Sequence, residues 1–239
     1  MGRGPSIAGR KGAEDARRGK MFTKLIREIT VAARGGVDPA SNSRLRGGIE
    51  KALAANMTKD TIERAVKRGS GAEGADDLQE LRYEAYGPSG VAMIIDCMTD
   101  NAQRTVADLR HALSRHGGNL GTTGSVAFQF NRVGELVVPA PDAAAEERIF
   151  ETALEGGADD VESGGGVSTI VCAVEQFESV KKALRDAGME TQSANLVMRP
   201  GNRVAVPTEV EETLLELLEW LEDLDDVQAI FHNAELPDA

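Results

Sequence analysis

Apolar residues recur at every third or fourth position through the first seventy residues, a spacing that predicts amphipathic helices. The first helix is predicted from Glu14 to Ala33. A polar cap at Ser41, Asn42 or Ser43 opens the second helix, and Thr58 opens the third. The second helix is expected to bury Leu45, Ile49, Ala52 and Leu53. Three short helices with short connections predict a small helical bundle.

The pattern changes after Gly69-Ser70-Gly71, which opens a flexible, acidic linker that extends to about Glu80. Beyond the linker, apolar runs of strand length alternate with helical segments. Strands are predicted over residues 91–98, 125–130, 135–138, 159–162, 168–174, 191–198 and 227–231, and helices over residues 105–115, 143–155 and 177–187. A last helix is predicted to begin at Thr208, which stands at capping-box spacing from Glu211.

The order of these elements predicts the domain organisation. Residues 134–203 hold a complete βαββαβ series, the split βαβ arrangement of ferredoxin-like domains. Residues 204–239 supply one helix and one strand, which cannot stand alone and would complete the sheet begun by residues 80–133. We therefore predict an α+β fold: a three-helix domain over residues 1–72, then two ferredoxin-like α/β domains. The first of these is discontinuous, 80–133 plus 204–239, and residues 134–203 are inserted into it as the third domain.

Charge is divided unevenly along the chain. Residues 1–69 hold sixteen Lys and Arg against seven Asp and Glu, a net charge of +9, whereas the other 170 residues carry −21 and bring the total to −12. A basic block on an acidic chain indicates a surface that binds polyanions while the remainder repels them. Phosphate backbones are the most common such partner, because Lys and Arg gain affinity by releasing condensed counterions.

The bases lie on all three predicted helices, and those of the first helix fall on the face opposite its apolar stripe. We expect nucleic-acid contacts from Arg10, Lys11, Arg17, Arg18, Lys20, Lys24, Arg27, Arg34, Arg44, Lys51, Arg64, Lys67 and Arg68. Phe22 is predicted to face inward, so stacking on single-stranded bases is not expected to lead. Recognition of the backbone or shape of duplex DNA or folded RNA fits this surface better.

The sequence offers little for catalysis or metal binding. His111 and His116 are five residues apart, not the three or four that place two ligands on one helical face. Cys97 and Cys172 lie far apart in apolar runs. We expect a protein that is not an enzyme and has no catalytic residue, metal or cofactor. The segment from Asn119 to Ser125 could present backbone amides to a phosphate, although a turn that needs glycine is the simpler explanation.

Compartment follows from what the sequence lacks. It contains no apolar run of the roughly 18 residues that a membrane span needs, and its start has no apolar signal-peptide core. Two isolated cysteines are typical of a reducing compartment. We therefore expect a cytoplasmic protein with no membrane partner.

Four segments resemble the YebC/PmpR family: Arg17–Ile29, Lys51–Met57, Arg82–Pro88 and His116–Gly121. The similarity runs in order from about Ile7 to the C-terminus, which makes it far more specific than a short pattern. The resemblance implies a cytoplasmic, non-enzymatic regulator with an N-terminal helical domain and two α/β domains, the third inserted into the second. The family is commonly described as DNA-binding transcriptional regulators. Members, including mitochondrial relatives, are also described as translation factors acting on the ribosome.

The N-terminus departs from the family pattern. Members usually begin with a Gly-His-Ser-Lys-Trp-like segment and an Ile-Lys-His-Arg-Lys-like run. This chain has Gly4-Pro5-Ser6 without a tryptophan, followed by Ile7-Ala8-Gly9-Arg10-Lys11. Arg10 and Lys11 match the run, but any contact made by the missing Trp and His does not carry over.

We therefore expect a nucleic-acid-binding regulator of gene expression, in the first place a DNA-binding transcriptional regulatory protein. The alternative is a ribosome-associated translation factor or translational activator that binds ribosomal RNA. A scaffold that binds a basic protein through the acidic last helix, and an enzyme that uses the Gly-rich segment with His116, are two further classes. Charge does not separate DNA from RNA, because both present phosphates.

Overall fold

The computed structural model describes residues 7–71 and 77–236, with side chains from Arg17 onward. Its helices are α1 Ile7–Ala33, α2 Ser43–Ala54, α3 Lys59–Gly69, α4 Ala102–Arg115, α5 Ala143–Gly156, α6 Phe177–Asp186 and α7 Thr208–Asp223. Its strands are β1 Gln79–Tyr86, β2 Ala92–Thr99, β3 Asn119–Leu120, β4 Phe130–Pro139, β5 Asp160–Gly164, β6 Val167–Cys172, β7 Ser193–Pro200, β8 Val204–Ala205, β9 Val227–His232 and β10 Ala234–Glu235. Two compact units result: Met1–Ser125 with Val206–Ile230, and Val126–Ala205 with Phe231–Ala239.

The three N-terminal helices enclose one apolar core, to which Ile29, Leu45, Ile62 and Ala65 contribute. Asn42 connects the first two helices. Its side-chain oxygen accepts the Leu45 amide at 3.0 Å, and its side-chain nitrogen donates to the carbonyls of Ala32 at 2.8 Å and Gly36 at 2.7 Å. One side chain therefore caps the start of α2 and the end of α1 together.

Helix α3 approaches α1 so closely that only glycine fits at the contact. A Cβ atom on Gly69 would lie 2.1 Å from the carbonyl oxygen of Thr30. The hydroxyl of Thr30 donates to the carbonyl of Ala65 at 3.3 Å. Thr58 caps α3 by accepting the amide of Thr61, as predicted. This packing sets which face of α3 remains exposed.

The first unit continues into a four-stranded sheet of order β3-β1-β2-β9. Strands β1 and β2 form an antiparallel hairpin from Gln79↔Thr99 to Tyr86↔Ala92, and β3 is antiparallel to β1. Seven of the eight residues of β2 are buried, which matches the continuous apolar run in the sequence. Val31 of α1 packs with Leu78 and Met98, so the helical domain and this sheet share a small apolar cluster.

The second unit contains a four-stranded antiparallel sheet of order β5-β6-β4-β7. Its core is formed by Leu136, Val138, Ala140, Ile149, Ala153, Ile170, Cys172, Val180 and Leu184. Helices α5 and α6 pack against each other. This is the order of a ferredoxin-like βαββαβ sheet.

The two sheets have the same arrangement of strands and helices, except that one inner strand comes from a different place in the chain. In the second sheet that strand is β6, which follows β5 directly, whereas in the first sheet it is β1, which enters from the N-terminal side. The predicted α+β class, with three helices followed by two antiparallel-sheet domains, is confirmed.

Several local predictions are wrong. The segment predicted as a strand over residues 125–130 is a 3-10 turn at Ala127–Gln129 that leads into β4. The linker predicted to reach Glu80 ends earlier, because β1 begins at Gln79, a strand that the apolar pattern did not reveal. Leu53 is exposed. Helix α1 begins at Ile7 and not at the predicted Glu14. Within the described chain no side chain caps α7: its N-cap residue is Pro207, and Thr208, predicted to form a capping box with Glu211, is its first helical residue.

Candidate nucleic-acid interface

Three bases of the predicted binding surface face an acidic segment of the same unit, residues 222–226. Lys20 Nζ lies 2.8 Å from a carboxylate oxygen of Asp223. Lys24 Nζ donates to the carbonyl of Glu222 at 2.8 Å. Burial lowers the pKa of Lys24, although the charges of Glu222, Asp223 and Asp225 act in the opposite direction. These lysines therefore already have anionic neighbours before any ligand binds.

Arg27 enters the most buried part of this contact, at the carboxylate of Asp226. Arg27 Nη1 lies 2.9 Å from Asp226 Oδ1 and also donates to the carbonyl of Met98 at 3.1 Å. Arg104 Nη2 donates to both carboxylate oxygens, at 2.9 and 3.0 Å, and the hydroxyl of Thr105 donates to Oδ2 at 2.8 Å. These contacts join α1, α4 and the residue just before β9.

The protonation of Asp226 reflects these contacts. Its side chain is only 8% exposed, and burial alone would raise its pKa. The hydrogen bonds from Arg104 and Thr105, with the charges of Arg104 and Arg27, outweigh burial and leave the pKa below its ordinary value. Asp226 is therefore a buried, ionised anchor, and Arg27 serves the fold.

Three further predicted bases bind acceptors within the first unit. Arg34 Nη1 donates to the carbonyl of Leu78 at 2.7 Å. Arg44 Nη1 donates to Glu80 at 3.1 Å, and this hydrogen bond lowers the pKa of the Glu80 carboxyl despite its partial burial. Lys51 Nζ lies 3.1 Å from Glu28. All three side chains keep substantial exposure, and they join the helices to each other, to β1 or to Leu78 just before β1.

Four predicted bases face solvent and are joined to no other element by a described side-chain contact; we call them the outer bases: Arg17, Arg18, Arg64 and Lys67. The Arg18 guanidinium lies 5.2 Å from the ring centre of Phe22, a cation–π distance. Arg64 Nε donates to the carbonyl of Asp60 at 3.2 Å, within its own helix. Arg64 and Lys67 are three residues apart on α3, so their side chains project from one face.

The remaining predicted bases add less information. Arg68 is half-buried and has a partner of its own. Arg10 and Lys11 lie in the part of α1 whose side chains are outside the described residues. The described outer bases are thus concentrated on α1 near its middle and on α3.

The Gly-rich segment 119–125 begins with the short strand β3 and continues as a turn. The amide of Gly121 donates to the carbonyl of Glu84 at 2.7 Å, and the amide of Gly124 donates to the Glu84 carboxylate at 2.6 Å. A Cβ atom on Gly118 would lie 2.5 Å from the carbonyl oxygen of Tyr86. These amides bind the protein itself, so the segment fits the interpretation as a turn that needs glycine.

The two histidines singled out in the sequence pack against one tryptophan. The rings of His111 and His116 lie 5.6 and 5.4 Å from that of Trp220, both edge to face. His116 Nδ1 is 2.8 Å from the carbonyl of Ala112. Burial raises the pKa of Cys97 to about 12, with Asp226 and Asp96 contributing. Among the described residues, no group of three His, Cys, Asp or Glu side chains could hold a metal ion.

Sequence reasoning did not find the acidic partners of α1. The signal was present, since Glu222, Asp223, Asp225 and Asp226 form a short acidic run at the end of α7. Nothing in the linear pattern places this run beside residues 20–27, about 200 positions earlier.

None of the described helices combines the length and apolarity that a membrane crossing requires.

A basic three-helix domain ahead of two antiparallel-sheet domains defines the class of this protein: an α+β protein with a cationic N-terminal module. The chain belongs to the TACO1/YebC family. The model of the TACO1/YebC protein N-terminal domain matches residues 4–72, and that of the TACO1/YebC second and third domain matches residues 78–234. Together these matches confirm the resemblance noted in the sequence.

Similar proteins extend over nearly the whole chain. The probable transcriptional regulatory protein IL1088 of Idiomarina loihiensis is 53% identical over 98% of this chain and 94% of its own length. The probable transcriptional regulatory protein Smlt3713 of Stenotrophomonas maltophilia is 54% identical over 99% and 98%. The crystal structure of Aq1575, a conserved hypothetical protein of Aquifex aeolicus, matches with a TM-score of 0.86 at 43% identity, over 94% of this chain and 93% of that one.

Proposed function

We propose that this chain is a nucleic-acid-binding regulator of gene expression that acts on transcription by holding duplex DNA through its phosphates. The observation that carries the proposal is the charge division, with +9 on residues 1–69 and −21 on the rest, together with outer bases that face solvent. The names of the relatives, probable transcriptional regulatory proteins, support the same role. The proposed role is one of binding, without catalysis.

The outer bases are the best candidates for phosphate contacts. Lys20, Lys24 and Arg27 already meet the acidic segment 222–226, so a phosphate would have to displace those partners. Among the residues whose side chains the structure describes, Arg17, Arg18, Arg64 and Lys67 have no acidic partner that a phosphate would have to displace. Phosphate contacts set affinity and register without reading sequence, which suits a surface with few aromatic side chains.

The test is the salt dependence of binding by the full chain. A plot of log K against log salt should have a slope of about −4 on duplex DNA, as phosphate contacts from the four outer bases give. Replacing Arg64 and Lys67 together by Ala should flatten the slope by about two units, because each lost contact removes about 0.9. Fluorescence anisotropy of a labelled duplex from 50 to 300 mM salt measures both.

The matched control removes two exposed bases from the second unit, Arg148 and Arg185. This Arg148→Ala, Arg185→Ala variant changes net charge equally and should keep the wild-type slope. Equal slopes for all three proteins would show that Arg64 and Lys67 do not contact phosphate. Crosslinking in cells, followed by sequencing of the bound nucleic acid, decides between DNA and ribosomal RNA, and recovery of ribosomal RNA alone would favour the translation-factor alternative.

A further inference from the structure

One aromatic side chain in the second unit is held in solvent. Phe128 is 80% exposed, more than any other large hydrophobic side chain that the structure describes. Removing an aromatic ring from water is favourable, so a ring that the fold leaves exposed can contribute to binding when a ligand covers it. Phe128 lies outside the basic helices on which the proposed function depends.

The turn that carries Phe128 is firmly held. Val126 and Phe130 on either side are buried, at 0% and 6% exposure. The amide of Gln129 donates to the carbonyl of Val126 at 2.9 Å, and the amide of Gly201 donates to the carbonyl of Gln129 at 2.8 Å. Asn233 Nδ2 donates to Gln129 Oε1 at 3.2 Å. The ring is therefore presented by a hydrogen-bonded turn that is anchored to two other segments, at Gly201 and Asn233.

Cationic and amide side chains flank this turn. Asn131 and Arg132 follow it on β4, and both are exposed. Asn202 and Arg203 are exposed on the segment that follows the Gly201 contact. Arginine pairs with phosphate, and asparagine can hydrogen bond to base edges. These side chains have the chemistry to bind the phosphates and base edges of a nucleotide.

We propose that Phe128 is a stacking site for an unpaired nucleobase, and that Arg132 and Arg203, exposed on the segments next to the turn, pair with the flanking phosphates. The inference rests on the proposed function, because it takes nucleic acid as the ligand of the chain. Every nucleobase has a π-face, so an exposed aromatic ring binds single strands with little sequence preference. The outer bases recognise backbone, and Phe128 adds a preference for nucleotides that are not paired.

The test compares variants of the full chain with three labelled 12-nucleotide probes: single-stranded oligouridylate RNA, single-stranded oligothymidylate DNA, and a DNA duplex. Phe128→Ala should bind the favoured single strand about tenfold more weakly, the loss expected for one stacked base, and the duplex equally well. Phe128→Trp keeps an aromatic ring and should bind the single strand as tightly as the wild-type protein or more tightly. Phe150→Ala, which removes a 48% exposed ring from α5 in the same unit, should change neither.

The two single strands distinguish RNA from DNA as the source of the base. A second measurement uses photo-crosslinking of 4-thiouridine in the RNA probe, or 4-thiothymidine in the DNA probe, with the adduct expected on the Ala127–Gln129 turn. Unchanged single-strand affinity in Phe128→Ala, or adducts confined to other segments, would overturn the stacking site. A protein partner with an apolar pocket for the Phe128 ring would then be the remaining ligand for this surface.

The outcomes separate this inference from the proposed function. If the Arg64 and Lys67 variant weakens duplex binding while Phe128→Ala changes nothing, the proposed function stands and the stacking site fails. If wild-type protein binds none of the three probes, both fail.

Discussion

At the scale of single residues, Asp226 is the side chain on which most depends. It accepts hydrogen bonds from Arg27, Arg104 and Thr105, and it is nearly inaccessible. Asp226→Asn should lower the free energy of unfolding by about 2–3 kcal/mol, because two guanidinium groups lose a buried carboxylate. Urea unfolding at pH 7 measures this loss.

Asp100→Asn is the matched control, since Asp100 also pairs with Arg104 but is 61% exposed. Its cost should stay within about 1 kcal/mol, as is typical of exposed ion pairs. Equal costs for both variants would contradict the anchoring role of Asp226.

The same residue predicts a pH dependence. Because folding lowers the pKa of Asp226, its stabilisation is complete above about pH 4, the ordinary value for aspartate. The stabilisation is then lost as pH falls through the lower folded-state value. Between pH 5 and pH 3, wild-type protein should therefore lose more stability than Asp226→Asn does. Urea midpoints at each pH measure this loss. A parallel loss in both proteins would show that the acid-sensitive group is not Asp226.

At the scale of elements, the acidic segment 222–226 binds cations of α1 that a bound nucleic acid would also need, so we expect the two to compete. Asp223→Asn removes the partner of Lys20 and one negative charge beside Lys24. Affinity for duplex DNA at low salt should rise up to about fivefold, because an exposed pair is worth at most about 1 kcal/mol. Glu212→Gln, an exposed acid on the same helix, is the control for net charge and should have a smaller effect. Weaker binding by Asp223→Asn would show that the acidic segment organises the binding surface.

At the scale of the whole molecule, the insertion of residues 134–203 into a discontinuous domain stays a prediction. The structure makes it more specific, because β4 starts at Phe130 and pairs with β7 from Phe130↔Pro200 onward. A fragment of residues 126–205 should fold cooperatively, and a fragment of residues 134–203 should be less stable, since four residues of β4 are missing. Residues 80–133 should stay unfolded without residues 204–239, which supply β9 next to β2. Dispersed NMR spectra report each outcome, and a well-folded 80–133 fragment would contradict the predicted boundaries.

The sequence alone determined which stretches are helices or strands wherever periodicity and caps agree. Thr58 and Asn42 are examples, because a polar side chain before an apolar stripe satisfies backbone amides locally. It also determined the α+β class and the division of charge. The family followed from segments that resemble its members in the same order along the chain. These properties depend on composition and short-range spacing.

Only the tertiary structure decided which bases remain available and which aromatic ring stays exposed. Lys20, Lys24 and Arg27 look like Arg64 in the sequence, yet a partner about 200 residues away occupies them. Phe128 sits in an apolar run that resembles a strand, but hydrogen bonds from Gly201 and Asn233 hold it in a turn. Contacts between distant segments carry no periodic signal, so long-range packing alone decided these features.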